Sequence, residues 1–332
     1  MSKTIVLFST KGGVGKTLIA TNLAIALAKD KTKPVCIIDL DLEVVGDMAR
    51  MLGLKPQKTL VAFLHHLKNK REDSEVKKDD FLTRYSEGLD FLPGVPKPQF
   101  SPHFDTGCLK DVFDILKKHY EYIVVDGGQS FNDSLISALD QSNLILLVVT
   151  PDILSIYQTK WTLDTLQSLQ FPLRMVKIIL NRAESISSIS PQEVSSVLPC
   201  EIIAMIPSEG KVAMQAVNLG KPILSSVPRS KIALSINKLA GDISTRDDLF
   251  IESTQISEMR PLVKDLQKPA GEFWVASGLT EEMQEEREVA TKDDQIVNLK
   301  QQVHRRLIAE LDLKKMQLVA LSGQHRLKEL RE

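Results

Sequence analysis

The chain has 332 residues, 43% of them hydrophobic and 26% charged, which is typical of a soluble protein with a large buried core. Its 42 basic and 43 acidic residues leave a formal net charge of −1, so no overall field attracts nucleic acid or an anionic membrane, although a local basic patch is still allowed. The three cysteines show no CxxC spacing and no apolar run reaches the roughly 18 residues of a membrane span, so we expect a cytoplasmic protein without a disulfide framework or zinc site.

Short β-branched runs alternate with helical patterns from Lys3 to about Ala240, as in repeated βα units. The predicted strands are Thr4–Ser9, Val35–Leu40, Leu89–Leu92, Tyr122–Asp126, Leu144–Thr150, Met175–Asn181 and Ile202–Ile206. The predicted helices include Thr17–Lys29, Thr59–Lys68, Ile153–Leu169 and Lys211–Leu219. Because the strands are apolar almost throughout, we expect helices on both faces of the sheet. The predicted fold class is α/β, with a doubly wound, mostly parallel sheet.

A glycine-rich loop follows the first predicted strand and precedes the first helix. Residues 9–17 read Ser-Thr-Lys-Gly-Gly-Val-Gly-Lys-Thr, which misses the GxxxxGK[ST] pattern only at Thr10. Its three glycines let backbone N–H groups turn toward a phosphate, and the start of a helix attracts the same anion. The pattern predicts that Lys16 contacts the β- and γ-phosphates of a nucleotide and that Thr17 coordinates Mg²⁺. A turn that only joins strand to helix is the alternative, which this order of elements disfavours.

The string Lys-Gly-Gly-Val-Gly-Lys-Thr at residues 11–17 resembles the deviant Walker A motif of the MinD/ParA family of P-loop ATPases. The resemblance implies an enzyme that binds ATP and Mg²⁺, hydrolyses ATP slowly under stimulation by a partner, and forms a homodimer with ATP. It also implies that Lys11 reaches across the dimer to the other subunit's nucleotide and acts in catalysis together with Lys16. The alternative for Lys11 is a solvated loop charge.

Three carboxylates come at the carboxyl ends of predicted strands, the edge at which open α/β sheets bind ligands. They are Asp39, Asp41 and Asp126. The family resemblance implies that Asp39 and Asp126 join Thr17 in holding Mg²⁺ and its waters, and that Asp41 positions the attacking water. Aspartates at strand ends also cap turns or helices, and Glu43 and Asp47 compete with Asp41 for its role.

The sequence after Asp126 departs from the family pattern. Many relatives carry a proline two residues beyond this aspartate, whereas this chain has Gly127 and Gly128. We expect a looser loop whose backbone N–H groups can still approach a γ-phosphate. Nucleotide binding would be retained, whereas the resemblance implies neither the rate of hydrolysis nor the coupling of the switch.

Two later strand ends match the places where the family holds adenine. One is Leu-Asn-Arg at residues 180–182 and the other is Ile-Pro-Ser at 206–208. The Asn181 amide can read a base because it both donates and accepts hydrogen bonds, and an ordinary turn asparagine is the alternative. The complete set predicted to bind nucleotide is Lys11, Gly12, Gly13, Val14, Gly15, Lys16, Thr17, Leu18, Asn181, Arg182 and Pro207.

Two segments indicate a branch of the family. Residues 39–53 and the run Ala-Val-Asn-Leu-Gly-Lys-Pro-Ile at 216–223 resemble the CpaE/TadZ proteins of tight-adherence pilus assembly. The iron–sulfur branches need paired cysteines, which three scattered ones do not supply.

Three regions are predicted along the chain: an ATPase domain over residues 1–242, a charged linker over 243–294, and a helical module over 295–332. The module carries an amphipathic stripe and resembles the start of the CpaF/TadA secretion ATPases, which act beside CpaE proteins. The stripe consists of Ile296, Leu299, Val303, Leu307 and Leu311. A generic amphipathic helix is the alternative.

The leading functional interpretation is an ATP-switched factor that localises or assembles a tight-adherence-type pilus or secretion apparatus. Its partners would be a secretion ATPase or a polar landmark protein, and it would be recruited to the inner face of the membrane or a cell pole, with indirect membrane contact. One alternative is a chromosome or plasmid partition ATPase that binds DNA non-specifically, which the neutral charge disfavours. The other is a nucleotide-dependent scaffold that does not hydrolyse ATP.

Overall fold

The structure is a computed structural model that describes residues 2–41, 46–69, 78–94, 108–185 and 189–252. These residues form one sheet whose strands are β1 (Lys3–Phe8), β2 (Val35–Asp39), β3 (Thr83–Ser86), β4 (Leu89–Leu92), β5 (Tyr122–Asp126), β6 (Leu144–Val149), β7 (Val176–Asn181) and β8 (Ile202–Ile206). The spatial order is β3-β4-β2-β5-β1-β6-β7-β8. All neighbours pair in parallel except β3 and β4. The predicted α/β class is confirmed.

Helices cover both faces of the sheet. They are α1 (Lys16–Leu27), α2 (Asp47–Leu52), α3 (Leu60–Lys68), α4 (Leu109–Lys117), α5 (Asp133–Asp140), α6 (Ile153–Ser168), α7 (Pro191–Val197), α8 (Gly210–Leu219), α9 (Ile223–Ser226) and α10 (Lys231–Thr245). The central strand β1 shows how the two cores arise, because its alternate residues point to opposite faces. Val6 and Phe8 enter one apolar cluster, and Ile5 and Leu7 enter the other. Burial on both faces explains the nearly continuous apolarity of the strands.

The edge strand β3 has no apolar run to predict it. Its residues Thr-Arg-Tyr-Ser alternate between half-buried and exposed positions, as expected for an edge strand with one face toward solvent. It pairs antiparallel to β4 through a tight turn in which Gly88 has a φ of +86°, a conformation that favours glycine.

The packed region extends beyond the predicted domain boundary at residue 242. Helix α10 continues to Thr245, and Ile251 is only 3% exposed. The backbone N–H of Ile251 donates to the carbonyl oxygen of Asn143 at 3.0 Å, and the Asn143 amide donates back to the Ile251 carbonyl at 2.9 Å. Residues 243–252, predicted as linker, are therefore joined to the sheet through the residue that precedes β6.

The remainder of the predicted linker and the whole helical module, residues 253–332, lie outside the described residues. Within the described ranges, no helix combines the length and the apolarity that a transmembrane segment requires.

We expect Ile251→Ala in the full chain to lower the free energy of unfolding by ~2–5 kcal/mol, because it leaves a cavity in a packed core. Leu234→Ala on α10 is the matched control, since Leu234 is 57% exposed and its truncation should cost about 0.5 kcal/mol or less. Urea unfolding of both variants measures the difference. Equal stability of the two variants would show that residues near 251 do not belong to the core.

A candidate nucleotide-binding site at the carboxyl edge of the sheet

The loop between β1 and α1 has the backbone of a phosphate cradle. Gly13 and Gly15 have φ angles of +73° and +98°, which side chains with a β-carbon rarely adopt. A β-carbon on Gly15 would also lie 2.6 Å from the side-chain nitrogen of Asn181. Lys16 and Thr17 then begin α1, where free N–H groups and the helix dipole favour an anion. The loop can therefore present backbone N–H groups to a phosphate.

Thr10, at the first glycine position of the motif, uses its side chain to anchor the loop to α6. Its hydroxyl lies 3.0 Å from the Thr162 hydroxyl and 3.3 Å from the carbonyl oxygen of Gln158. The side chain thus contacts a neighbouring helix, so the missing glycine leaves the shape of the cradle intact.

Asn181 and Arg182, at the end of β7, brace the same loop. The Asn181 side-chain nitrogen donates to the Val14 carbonyl at 2.6 Å, and the Arg182 guanidinium donates to the Gly13 carbonyl at 3.0 Å. The other end of the Asn181 amide accepts from the Arg182 N–H at 3.0 Å. Both ends of this amide already form hydrogen bonds within the protein. Recognition of an adenine base by Asn181 would require these bonds to be exchanged, and it stays a prediction.

Two further members of the predicted set lie outside the loop itself. Pro207 is buried directly after β8, and Leu18 is half-buried in the first turn of α1, where it packs against the apolar cluster on that face.

Asp39 and Asp126 lie side by side at the ends of β2 and β5. They are register partners in the sheet, and they are 6% and 0% exposed. Burial raises the pKa of both carboxyls, and for Asp39 the charges of Asp126 and Asp41 raise it further. Lys16 is also buried, which lowers its pKa, while Asp126 and Asp41 oppose that shift. Negative charge therefore exceeds positive charge at this edge.

These carboxylates fit the chemistry of Mg²⁺. One oxygen of Asp126, Oδ2, is buried and has no hydrogen-bond partner in the described residues, which is the state expected of an oxygen that would face a cation. No group of three or more metal-binding side chains is found in that part of the chain. Mg²⁺ needs none, because it is commonly held by one or two carboxylates together with phosphates and water.

Asp41 lies between the Mg²⁺ candidates and the loop after β5. It is half-buried, and its backbone N–H donates to a carboxylate oxygen of Asp39 at 3.2 Å. Its competitor Asp47 is exposed in the first turn of α2, where its charge favours the helix. The other competitor, Glu43, lies outside the described residues, so the role of Asp41 stays a prediction.

Gly127 and Gly128 form a tightly packed loop, which contradicts the expectation of a loose one. A β-carbon on Gly127 would lie 2.7 Å from Leu135 Cδ1 and 3.1 Å from the Leu7 carbonyl oxygen. Gly128 has a φ of +70°, and a β-carbon there would approach Asp41 Cγ to 3.2 Å. A side chain on Gly127 would displace its neighbours, and the positive φ of Gly128 favours glycine. The Gly127 N–H donates to the Leu7 carbonyl, which holds the loop close to β1.

Lys11 is paired within its own chain. Its ammonium donates to both carboxylate oxygens of Asp152, at 2.7 and 2.8 Å. Asp152 also caps the N-terminus of α6 by accepting from the Ser155 N–H. Burial opposes ionisation of Asp152, but hydrogen bonds from Lys11, Thr150 and Ser155 outweigh it and lower the pKa.

Asp152 was missed by the sequence analysis, although two signals were available. It follows β6 at the same sheet edge as the other carboxylates, and it precedes a helix with the Asp-x-x-Ser spacing of an N-cap. Neither signal predicts its partner, because Lys11 is 141 residues away in sequence.

Comparison with known proteins shows the family to which this domain belongs. The profile of the CobQ/CobB/MinD/ParA nucleotide binding domain matches residues 5–238. The chain belongs to this family. The septum site-determining protein MinD of Thermotoga maritima is 28% identical over 187 residues, which cover 55% of this chain and 65% of that protein. The match thus spans slightly less than two thirds of the Thermotoga protein.

Solved structures of the family show the same fold. MinD of Pyrococcus horikoshii in complex with Mg-ADP has a TM-score of 0.64 and 26% identity, and the match covers 74% of this chain and 97% of that one. A ParA family ATPase from Chlorobium tepidum has a TM-score of 0.67 and 24% identity over 72% and 99% of the two chains. The second likeness supports the fold alone.

The raised pKa of Asp126 leads to a stability prediction. Its folded pKa lies above the unfolded value, so the folded state retains the proton longer, and stability falls as pH rises from the unfolded pKa through the folded one. Asp126→Asn removes this cost. We expect the nucleotide-free variant to melt at a higher temperature than the parent at pH 7, with a smaller difference near pH 4.

Thermal unfolding across this pH range, without nucleotide or Mg²⁺, measures the effect. Each kcal/mol corresponds to roughly 2–4 °C for a domain of this size. Asp133→Asn is the control, since Asp133 occupies the first turn of α5, where a carboxylate is favourable. A lower melting temperature for Asp126→Asn at pH 7 would contradict the electrostatic interpretation.

Proposed function

We propose that the protein is a Mg²⁺-dependent ATPase that acts as a dimeric switch. In this switch Lys11 exchanges Asp152 of its own chain for the nucleotide of the other subunit. The observation that carries the proposal is the bidentate pair of Lys11 with Asp152, directly beside the phosphate cradle. A lysine that is held in this way keeps its charge next to the site, but its ammonium contacts a carboxylate of its own chain. A stronger anion at a neighbouring subunit can compete for it.

The other residues take the roles that their positions favour. Lys16 would contact the β- and γ-phosphates from the start of α1, and Thr17, Asp39 and Asp126 would hold Mg²⁺. When bound, Mg²⁺ neutralises charge that develops on the phosphates. Asp41 would position the attacking water.

The ion pair is weak enough to be exchanged. The side chains of Lys11 and Asp152 are 28% and 42% exposed, and pairs in contact with solvent contribute about 0–1 kcal/mol. A nucleotide triphosphate carries several negative charges and would attract the ammonium more strongly than one carboxylate does. The pair therefore disfavours dimerisation while no nucleotide is bound. Once ATP is bound, the pair is too weak to prevent it.

Three variants test the switch. Lys11→Ala should bind ATP as the parent does and fail to dimerise, because the charge that acts across the interface is gone. Asp152→Asn should dimerise at ATP concentrations up to ~5-fold lower, since it loses the ion pair and keeps an N-cap acceptor. Lys16→Ala is the binding control and should lose ATP affinity severely.

Calorimetry with a non-hydrolysable ATP analogue measures binding, and sedimentation velocity measures dimerisation. ATP-dependent dimers of Lys11→Ala that hydrolyse at the parental rate would make Lys11 a surface charge. Dimerisation of Asp152→Asn that needs more ATP than the parent would show that Asp152 supports the dimer instead of restraining Lys11.

We further propose that the switch positions a tight-adherence-type pilus or secretion apparatus. Support comes from the resemblance of residues 39–53 and 216–223 to CpaE/TadZ proteins and of the helical module to secretion ATPases. The Thermotoga relative is named for determining the septum site, which is also a positioning role. The helical module would recruit the secretion ATPase, and the membrane would be reached through that partner.

Recruitment is tested in the full chain by charge substitutions on the stripe. Val303→Asp with Leu307→Asp should abolish co-purification of a CpaF/TadA-type ATPase, because two carboxylates interrupt an apolar contact surface. Gln301→Asp, off the stripe, should leave recovery unchanged. Equal recovery with all variants would reject the helical module as the contact, and salt-sensitive retention of the parent on DNA would favour the partition alternative.

A further inference from the structure

Gln129 lies in the loop between β5 and α5, and both sides of it are anchored. On one side, the Gly127 N–H donates to the Leu7 carbonyl at 2.8 Å. On the other, the ring of Phe131 packs edge-on against Phe8, with centroids 4.9 Å apart. Because both anchors lie at the end of β1, where the phosphate cradle begins, the backbone of Gln129 is held beside that cradle.

The Gln129 side chain lies close to Gly12. A β-carbon on Gly12 would lie 2.9 Å from Gln129 Oε1, so the amide approaches the cradle at a residue that has no side chain. Gln129 is half-buried, and its amide makes no hydrogen bond with another described residue. A polar group held close to the cradle is thus left with its hydrogen-bonding capacity available.

An amide suits this position better than a carboxylate. Asp39, Asp41 and Asp126 already place negative charge at this edge, and a triphosphate would add more. A neutral amide can donate to a phosphate oxygen and accept from a water at the same time, without adding to the repulsion. Asp41 flanks the same loop at Gly128, the residue before Gln129.

We propose that Gln129 reads the γ-phosphate of bound ATP, donating through its amide nitrogen to a γ-phosphate oxygen and accepting through Oε1 from the attacking water. The inference rests on the proposed ATPase function and assigns it a further residue. In the step concerned, the water oxygen bonds to the γ-phosphorus as the bond to the β,γ-bridging oxygen breaks. The bond electrons leave with ADP, and the water proton leaves with the phosphate. Gln129 orients the water and transfers no proton.

The test uses the full chain with Gln129→Ala and Gln129→Glu, and Ser130→Ala in the same loop as the control. Affinities for Mg-ADP and Mg-AMPPNP are measured by calorimetry, and hydrolysis is followed in single turnovers with excess protein. A hydrogen bond to a charged group accounts for about 10- to 100-fold in an equilibrium or rate constant. We expect Gln129→Ala to retain ADP affinity within about 2-fold and to lose AMPPNP affinity and hydrolysis rate within that 10- to 100-fold range.

The variant Gln129→Glu separates the effect of side-chain charge from the effect of side-chain size. Gln129→Glu keeps the size of the side chain, so we expect it to retain ADP affinity and to lose more AMPPNP affinity than Gln129→Ala does, by charge repulsion. A parental ratio of AMPPNP to ADP affinity in both variants would overturn the inference. So would an equal loss of both affinities, which would make Gln129 a structural support. Failure of the parent itself to bind either nucleotide would instead reject the proposed function.

Discussion

Two carboxylates, Asp39 and Asp126, are buried next to each other where β2 and β5 end. Their burial follows from the parallel sheet, since neighbouring strands with matched register bring their carboxyl ends to one edge. Removing both charges from water is costly, and Lys16, which interacts with Asp126, is itself buried. The orphaned oxygen of Asp126 and the fit for Mg²⁺ both follow from this pair of buried carboxylates.

Helix α6 connects the loops around this edge. Thr10 bonds to it through Thr162, Lys11 pairs with its N-cap Asp152, and Phe131 packs edge-on against Trp161 at 5.9 Å between centroids. The phosphate cradle and the loop after β5 thus both contact one helix. Any displacement of Lys11 or Phe131 by a ligand would change a contact with this same helix. The exposed face of the helix carries large apolar side chains. They are Ile153, Leu154, Tyr157 and Trp161.

The fold and most of the candidate site were predictable because their signals are local. The apolar strands, the glycine loop and the carboxylates at strand ends each occupy a few consecutive residues, and the rule that parallel strands end at one edge brings them together. Three features were not predictable in this way. Asp152 pairs with a residue far away in sequence. Residues 243–252 begin a stretch that is charged and polar as a whole, although Ile251 is buried. The glycines after Asp126 look permissive, although they have close neighbours.

The sequence by itself determined the fold class and the phosphate cradle, since periodicity, glycine spacing and the Lys-Thr pair act through backbone geometry and short-range charge. Only the tertiary structure decided which groups those residues meet. It gave Lys11 an intramolecular carboxylate, turned the Asn181 amide toward the Val14 carbonyl, and placed Gln129 over Gly12. Each of these contacts joins segments separated by more than a hundred residues in the chain. Which of these residues meet depends on the order of the strands in the sheet, and no local sequence pattern encodes that order.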